Sequence, residues 1–254
     1  MTDLIVFSVG SNCYALNIDN IQRIVQSVDL TNIPSANQHI DGMMSYEDKV
    51  IKVLSFRKLI GLKTYEEELK VMFDKLKLSH QAWIDELRDS IDNGSTFTKT
   101  IDPHKCELGI WLDNFNSYDD RVSSIFKDLM INHKQLHISG GEVLEIYKTD
   151  KEKASSIVKT SIYDTFNHTM GDINTFISEL DKVANSLQKL LIYESNDKVF
   201  AIKVDIIEDI AHIEDKDVMS SDEGHQTSEF LELDGVLDLN GTLINIIKTV
   251  NLPS

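Results

Sequence analysis

Apolar residues alternate with polar ones at both ends of the chain and recur every third or fourth residue in its middle. Period two predicts half-buried strands, and period 3.6 predicts amphipathic helices. At the N-terminal end, residues 4–9 form a β-like run followed by the polar turn Gly10-Ser11-Asn12. Residues 190–194 and the turn Ser195-Asn196-Asp197 have the same form near the other end. Apolar alternation on both sides of a short polar turn signals a hairpin.

The two ends also resemble each other. Tyr14-Ala-Leu-Asn-Ile-Asp-Asn-Ile-Gln-Arg-Ile24 aligns with Phe200-Ala-Ile-Lys-Val-Asp-Ile-Ile-Glu-Asp-Ile210. At similar spacing, Asp41-Gly-Met-Met-Ser-Tyr-Glu-Asp-Lys-Val-Ile-Lys-Val-Leu54 aligns with Asp234-Gly-Val-Leu-Asp-Leu-Asn-Gly-Thr-Leu-Ile-Asn-Ile-Ile247. Asn240-Gly241 is a strong two-residue hairpin turn, whereas its counterpart Glu47-Asp48 is poor chemistry for positive φ. Two copies of one short β unit predict two small barrels, one from residues 1–62 and one from residues 190–254.

Between them, residues 63–189 read as four helices. Leu69, Met72 and Phe73, Leu76, His80, Trp83, Leu87 and Ile91 form one apolar stripe, which Asn93-Gly94 ends. A second helix is expected from Pro103 with Asp102 as its cap. A third runs from about Asp119 through His133 and Leu136, with Gly140-Gly141 breaking or bending it. A fourth spans Lys151 to Lys189. Four such helices make a bundle. The expected fold class is α+β: two SH3-like β subdomains interrupted by a four-helix bundle. The first and fourth helices are then each tied to one barrel.

Composition narrows the function. The chain has 254 residues, 41% of them hydrophobic, and a net charge of −17 from 42 acidic and 25 basic residues. That charge argues against sequence-independent nucleic-acid binding and against an anionic membrane surface. No stretch is apolar enough to span a membrane, and residues 1–10 lack the basic start of a signal peptide. The two cysteines, Cys13 and Cys106, sit in unrelated contexts, so a cytoplasmic, reduced protein without a disulfide framework is expected.

Four separated residues carry the candidate chemistry: His80, Cys106, His133 and His137. His133 and His137, at i and i+4, project from one helix face. Each residue taken singly has a blander reading. A histidine on an apolar stripe is more often a satisfied core residue, and a lone cysteine a small buried hydrophobe. Together they lie on stripes that must converge in one core, and three imidazoles with one thiolate suit tetrahedral Zn²⁺. Four protein ligands close the site, so it reads as structural or sensory rather than hydrolytic, and no enzyme is expected. Cys106 lies near a helix start, whose dipole favours negative charge, and bound to zinc it is expected to be a thiolate at neutral pH. His104 is expected to point away, and His39, His168, His212 and His225 have no such partners.

The three stretches His80-Gln-Ala-Trp83, Cys106-Glu-Leu-Gly-Ile-Trp111 and His133-Lys-Gln-Leu-His137 resemble, in order, the chemoreceptor zinc-binding (CZB) domain. The resemblance covers roughly residues 65–187. It implies one zinc held by His80, Cys106, His133 and His137, with Cys106 the redox-reactive group. CZB domains are similar to sensors of hypochlorous acid and related oxidants, and some are discussed as zinc sensors. Residues 14–24, 42–62 and 200–210, with 234–252 closing the second barrel, resemble CheW, the coupling protein of bacterial chemotaxis. That implies a cytoplasmic adaptor whose partners are chemoreceptors and a CheA-type histidine kinase. One stretch departs from the family: Ser45-Tyr46-Glu47-Asp48 stands where CheW proteins usually carry Asn-Leu-Arg-Gly. The expected architecture permits an output of its own: a change at Cys106 that shifts the first and fourth helices and alters the angle between the barrels. The alternatives are a zinc-occupancy sensor with the same ligands, or a scaffold with a purely structural zinc. No oligomeric state is implied.

Overall fold

A computed structural model describes residues 2–34, 36–117, 119–195, 197–214, 218–219 and 226–253. Asn196 of the predicted turn and His225 lie outside the described residues. The chain divides into two compact units, one of Met1–Tyr65 with Ala184–Ser254 and one of Glu66–Val183.

The first unit opens with β1 (Thr2–Val9), β2 (Asn12–Asn17), β3 (Ile21–Gln26), β4 (Ile40–Tyr46), β5 (Lys49–Ser55) and the short helix α1 (Phe56–Leu59). It resumes with β6 (Lys189–Ser195), β7 (Lys198–Val204), β8 (Ile206–Ile213), β9 (Val218–Met219), β10 (Gln226–Ser228), β11 (Leu231–Leu239) and β12 (Thr242–Val250). The predicted hairpins form: Val6 lies opposite Ala15, Met44 opposite Ile51, Ile192 opposite Ala201 and Leu237 opposite Ile244.

The sheets do not divide at the insertion as predicted. One runs in the order β10-β11-β12-β2-β1-β8, with β9 on β11, and the other β3-β6-β7-β5-β4. Each sheet thus takes the first hairpin of one copy and the third strand and second hairpin of the other. The two exchanges are equivalent. β1 pairs antiparallel with β8 as β6 does with β3, and β12 lies parallel to β2 as β5 does to β7. A lone two-stranded hairpin is marginal in water, and its open edges need partners. The other copy supplies them. Phe7, Leu16, Phe56, Tyr193, Phe200 and Ile247, drawn from both sheets and α1, share one buried core.

This pairing also corrects the expected linkage of the helices. The insertion leaves from β5 through α1 and returns into β6, so both of its ends attach to the same five-stranded sheet. They are not tied to one barrel each.

The second unit is built from α2 (Tyr65–Asn93), α3 (Glu107–Asn114), α4 (Asp120–Tyr147), α5 (Lys151–Ile157), α6 (Tyr163–Ser178) and α7 (Leu180–Leu187), of which Tyr65 and the residues of α7 from Ala184 onward belong to the first unit. The predicted stripe of α2 is buried, and Gly94 follows it with φ 76°, the left-handed stop that glycine adopts freely. Asp119 caps α4 by accepting from the Val122 N–H at 2.8 Å.

Three helix boundaries differ from the sequence reading. Asp102 and Pro103 begin only a 3₁₀ turn, Pro103–Lys105, and α3 starts after Cys106. Gly140 and Gly141 do not break α4, which continues to Tyr147. Gly140 instead admits the Trp83 ring: an added Cβ would lie 2.4 Å from it. The fourth helix is segmented by a π turn at Val158–Ile162 and by a break at Glu179, which pairs with Arg121 and Lys182.

At the β11–β12 turn Asn240 and Gly241 have φ of 55° and 85°, as the Asn-Gly pair predicts. Glu47, in the β4–β5 turn, is also forced to φ 51°. A non-glycine residue there is strained, and asparagine is strained less. Glu47→Asn is expected to raise stability by up to about 1 kcal/mol in urea denaturation. Unchanged or lower stability would show that the turn carries no such strain.

Candidate metal centre

Three elements deliver the four candidate residues. His80 lies on the buried stripe of α2. His133 and His137 lie one turn apart on the buried face of α4. Cys106 occupies the N-cap position of α3, with extended backbone at φ −76° and ψ 142°, rather than a place inside a helix. The three histidines are 1–2% exposed, and Cys106 is half-buried.

The fold brings all four together. One ligand atom from each lies within 4.8 Å of every other, the one such group among the described residues. Cys106 Sγ is 3.4 Å from His80 Nε2. Ring centroids are 4.7 Å apart for His133 and His137, and 5.2 and 5.9 Å from His80 to each. Tetrahedral zinc with bonds of about 2.0–2.3 Å sets its ligand atoms about 3.3–3.7 Å apart. The observed cluster needs only small adjustment to reach that.

The hydrogen bonds orient the rings. His80 Nδ1–H donates to the Leu76 carbonyl at 2.7 Å, and His137 Nδ1–H to the Thr100 carbonyl at 3.2 Å. Each bond leaves the Nε2 lone pair directed into the cluster. His133 Nε2 and His137 Nε2 are the buried side-chain polar atoms without a hydrogen-bond partner among the described residues. Such atoms are costly to leave unsatisfied. A divalent cation of tetrahedral preference satisfies both and accepts the sulfur, so the residues fit the group.

Electrostatics prepares the nitrogens but not the sulfur. Burial, reinforced by His137 and His80, holds the His133 pKa down at about 2. Burial, then His80, lowers His137 to about 4 against the Thr100 carbonyl. Burial lowers His80 as well, opposed by the Leu76 carbonyl. The imidazoles are therefore neutral ligands at pH 7. The Cys106 thiol is pushed up by burial, which outweighs the backbone N–H groups of Gly109 and Leu108. The helix start alone does not make a thiolate, so the thiolate expected on zinc depends on the cation.

The residues that complete the motifs have structural reasons. Trp83 Nε1–H donates at 2.8 Å to Thr100 O, the carbonyl that also fixes His137, and its ring lies 5.1 Å from the His137 ring. Gly109 lets the 3₁₀ turn close on α3, since a Cβ there would sit 1.7 Å from Pro103 O and 3.2 Å from His133 Cε1. Trp111 anchors α3 among Phe73, Phe115 and Phe176. The sequence reading missed Thr100 and the roles of Gly109 and Gly140. Thr100 acts through its backbone, and no side-chain pattern reports that. A cavity of about 320 Å³, lined among others by Ser79, His80, Thr100, Lys105, Cys106 and His137, opens beside the cluster.

The remaining histidines stay outside it. His104 is exposed and pairs with Asp113 at 2.8 Å. His39 and His212 belong to the sheet unit, and His168 is exposed on α6. No helix of the described residues is long and apolar enough to cross a membrane.

Two stretches of the chain match known families. Residues 3–76 match the family model described as the CheW-like domain, and residues 80–144 match that of the chemoreceptor zinc-binding domain. The chain therefore carries a CheW-like segment followed by a CZB domain, in an α+β fold with two β-sheets and a helical region. One relative is the "Chemotaxis protein CheW" of Thermotoga maritima (strain ATCC 43589 / DSM 3109 / JCM 10099 / NBRC 100826 / MSB8), 22% identical over 68 residues. That match covers 27% of this chain and 45% of the relative, so it spans about half of that protein's length. Among solved structures, "scaffolding protein TtCheW from Thermoanaerobacter tengcongensis" aligns over 98% of this chain and 90% of its own, with TM-score 0.46 and 12% identity.

The buried imidazoles make stability depend on pH. Their pKa values are lower folded than unfolded, so the unfolded chain takes up protons first as pH falls below about 6.5. The metal-stripped protein is expected to lose about 2 kcal/mol at pH 5 for each of His133 and His137. His212, its pKa raised by Asp3 at the surface, acts in the opposite direction. Thermal melts of the stripped protein at pH 7, 6 and 5 should fall steadily, and less so for His133→Leu. A flat profile would contradict the buried, neutral assignment.

Proposed function

We propose that this protein is a non-enzymatic chemotaxis adaptor whose helical segment, residues 63–189, holds one Zn²⁺ and reports oxidation of Cys106 to the β-sheets. The observation that carries the reading is the pair of orphaned nitrogens, His133 Nε2 and His137 Nε2, facing His80 Nε2 and Cys106 Sγ in one buried cluster. His80, Cys106, His133 and His137 would hold the ion. The bound ion would supply the positive charge that keeps the sulfur a thiolate at neutral pH.

Cys106 is the half-buried member of the set, and the adjoining cavity gives a small molecule a path to it. With hypochlorous acid, the thiolate sulfur takes the electrophilic group of the oxidant and loses two electrons. The transferred group is chlorine and hydroxide leaves; water then displaces chloride from the sulfur, giving a sulfenic acid and a proton. That changes the donor atom at the N-cap of α3 and shifts the helices around it. Because both ends of the insertion join the β3-β6-β7-β5-β4 sheet, the first element to respond is that sheet. By family resemblance the partners are chemoreceptors and a CheA-type kinase, engaged in the cytoplasm. Glu47 and Asp48, in place of a usual Arg-Gly, alter the charge of the β4–β5 turn offered to them.

The full set of four protein ligands supports a second reading, a structural zinc without sensing. Oxidant titration of zinc-loaded wild type and Cys106→Ser separates the two. One equivalent of hypochlorous acid is expected to release or re-coordinate zinc in the wild type, read by a chromophoric chelator and by thiol counting, and not in the variant. Identical behaviour of the two proteins would leave the structural reading.

A further inference from the structure

Arg57 and Asp205 are a buried ion pair in the sheet unit, 2% and 5% exposed. Arg57 Nε donates to both carboxylate oxygens at 2.8 and 2.9 Å, and Nη2 to Oδ2 at 2.7 Å. A pair buried so deeply gains little net stability over apolar packing. Its other partners are more informative.

Asp205 is the single residue between β7 and β8, where the chain crosses from one sheet to the other. Its Oδ2 accepts from the Gly10 N–H at 2.8 Å, in the β1–β2 turn. Its Oδ1 accepts from Gln188 Nε2 at 3.0 Å, the residue between α7 and β6 where the insertion ends. Arg57 reaches the insertion's start. Its Nη1 donates to Lys63 O at 3.2 Å, its carbonyl accepts from the Leu62 N–H at 2.8 Å, and its guanidinium lies 4.6 Å from the ring centroid of Tyr65, the first residue of α2. Leu62 also touches the same turn, since a Cβ on Gly10 would stand 2.9 Å from Leu62 Cδ1.

We infer that the Arg57–Asp205 pair is the junction at which both ends of the helical insertion are tied to each other and to the β1–β2 turn of the second sheet. A shift of α2 or α7 changes the hydrogen bonds of the pair, and through Asp205 it reaches the sheet to which the insertion is not directly connected. The junction itself rests on this geometry. Only its use in signalling rests on the proposed function. Adjacency alone is not coupling, and the test is therefore energetic.

Arg57→Ala removes a buried charge and endangers folding, so the informative variants of the full chain are Tyr65→Leu and Gln188→Met. Each removes one tie and keeps the ion pair. Exchange of the Gly10 amide, followed by nuclear magnetic resonance, is expected to quicken roughly five- to tenfold in each. The Gly241 amide, bonded to Asp238 at 2.8 Å in the β11–β12 turn, should keep its rate. Unchanged Gly10 exchange in both folded variants overturns the junction.

Stripping zinc from the wild type is then expected to shift the Arg57 Nε–H and Gly10 signals, and not those of the double variant. Shifts confined to residues 66–183 would overturn the relay and leave zinc binding intact. If metal analysis finds no zinc, the proposed function fails instead, and the exchange comparison alone decides the junction.

Discussion

Two imidazole nitrogens buried without hydrogen-bond partners among the described residues, facing a third imidazole and a sulfur, set the terms for the helical unit. Left alone they carry an unmet desolvation cost. With a cation they become the fastening that holds α2, the start of α3 and α4 together. Much nearby detail serves their placement. Gly109 brings the 3₁₀ turn against α3, Gly140 makes room for Trp83, and Trp83 holds the Thr100 carbonyl that orients His137. The centre is therefore a product of backbone approach and ring orientation as much as of the four side chains.

The sheets follow a different constraint. Neither copy of the repeat can complete a sheet by itself, because each supplies short hairpins with open edges. Exchange of strands between the copies satisfies those edges and builds a core common to both sheets. The insertion interrupts this exchange without breaking it, since its ends return to β5 and β6 of one sheet. The buried Arg57–Asp205 pair stands between the insertion's ends and the other sheet.

The period of the apolar residues was enough to place α2, α4 and the hairpins, because burial of one face is what those elements are built on. The cluster was legible for the same reason: His80, His133 and His137 lie on stripes that had to face one core. Strand exchange was not legible. The repeat reports which segments are alike, and says nothing about whether like segments pair within a copy or across copies. Cys106 at an N-cap escaped because Asp102-Pro103 is a good helix start that here opens only a 3₁₀ turn. Gly140-Gly141 read as a break or bend because sequence alone cannot separate a glycine that ends or bends a helix from one that admits a neighbouring ring. The raised thiol pKa depends on burial, which outweighs the helix start in this site.

We propose that His80, Cys106, His133 and His137 hold a zinc ion together. X-ray absorption at the zinc edge on the purified full chain tests it most directly. One zinc per chain is expected, with three nitrogen neighbours at about 2.0 Å and one sulfur at about 2.3 Å, the sulfur shell disappearing in Cys106→Ser. A chain that binds no zinc, or a zinc shell without sulfur in the wild type, would contradict it.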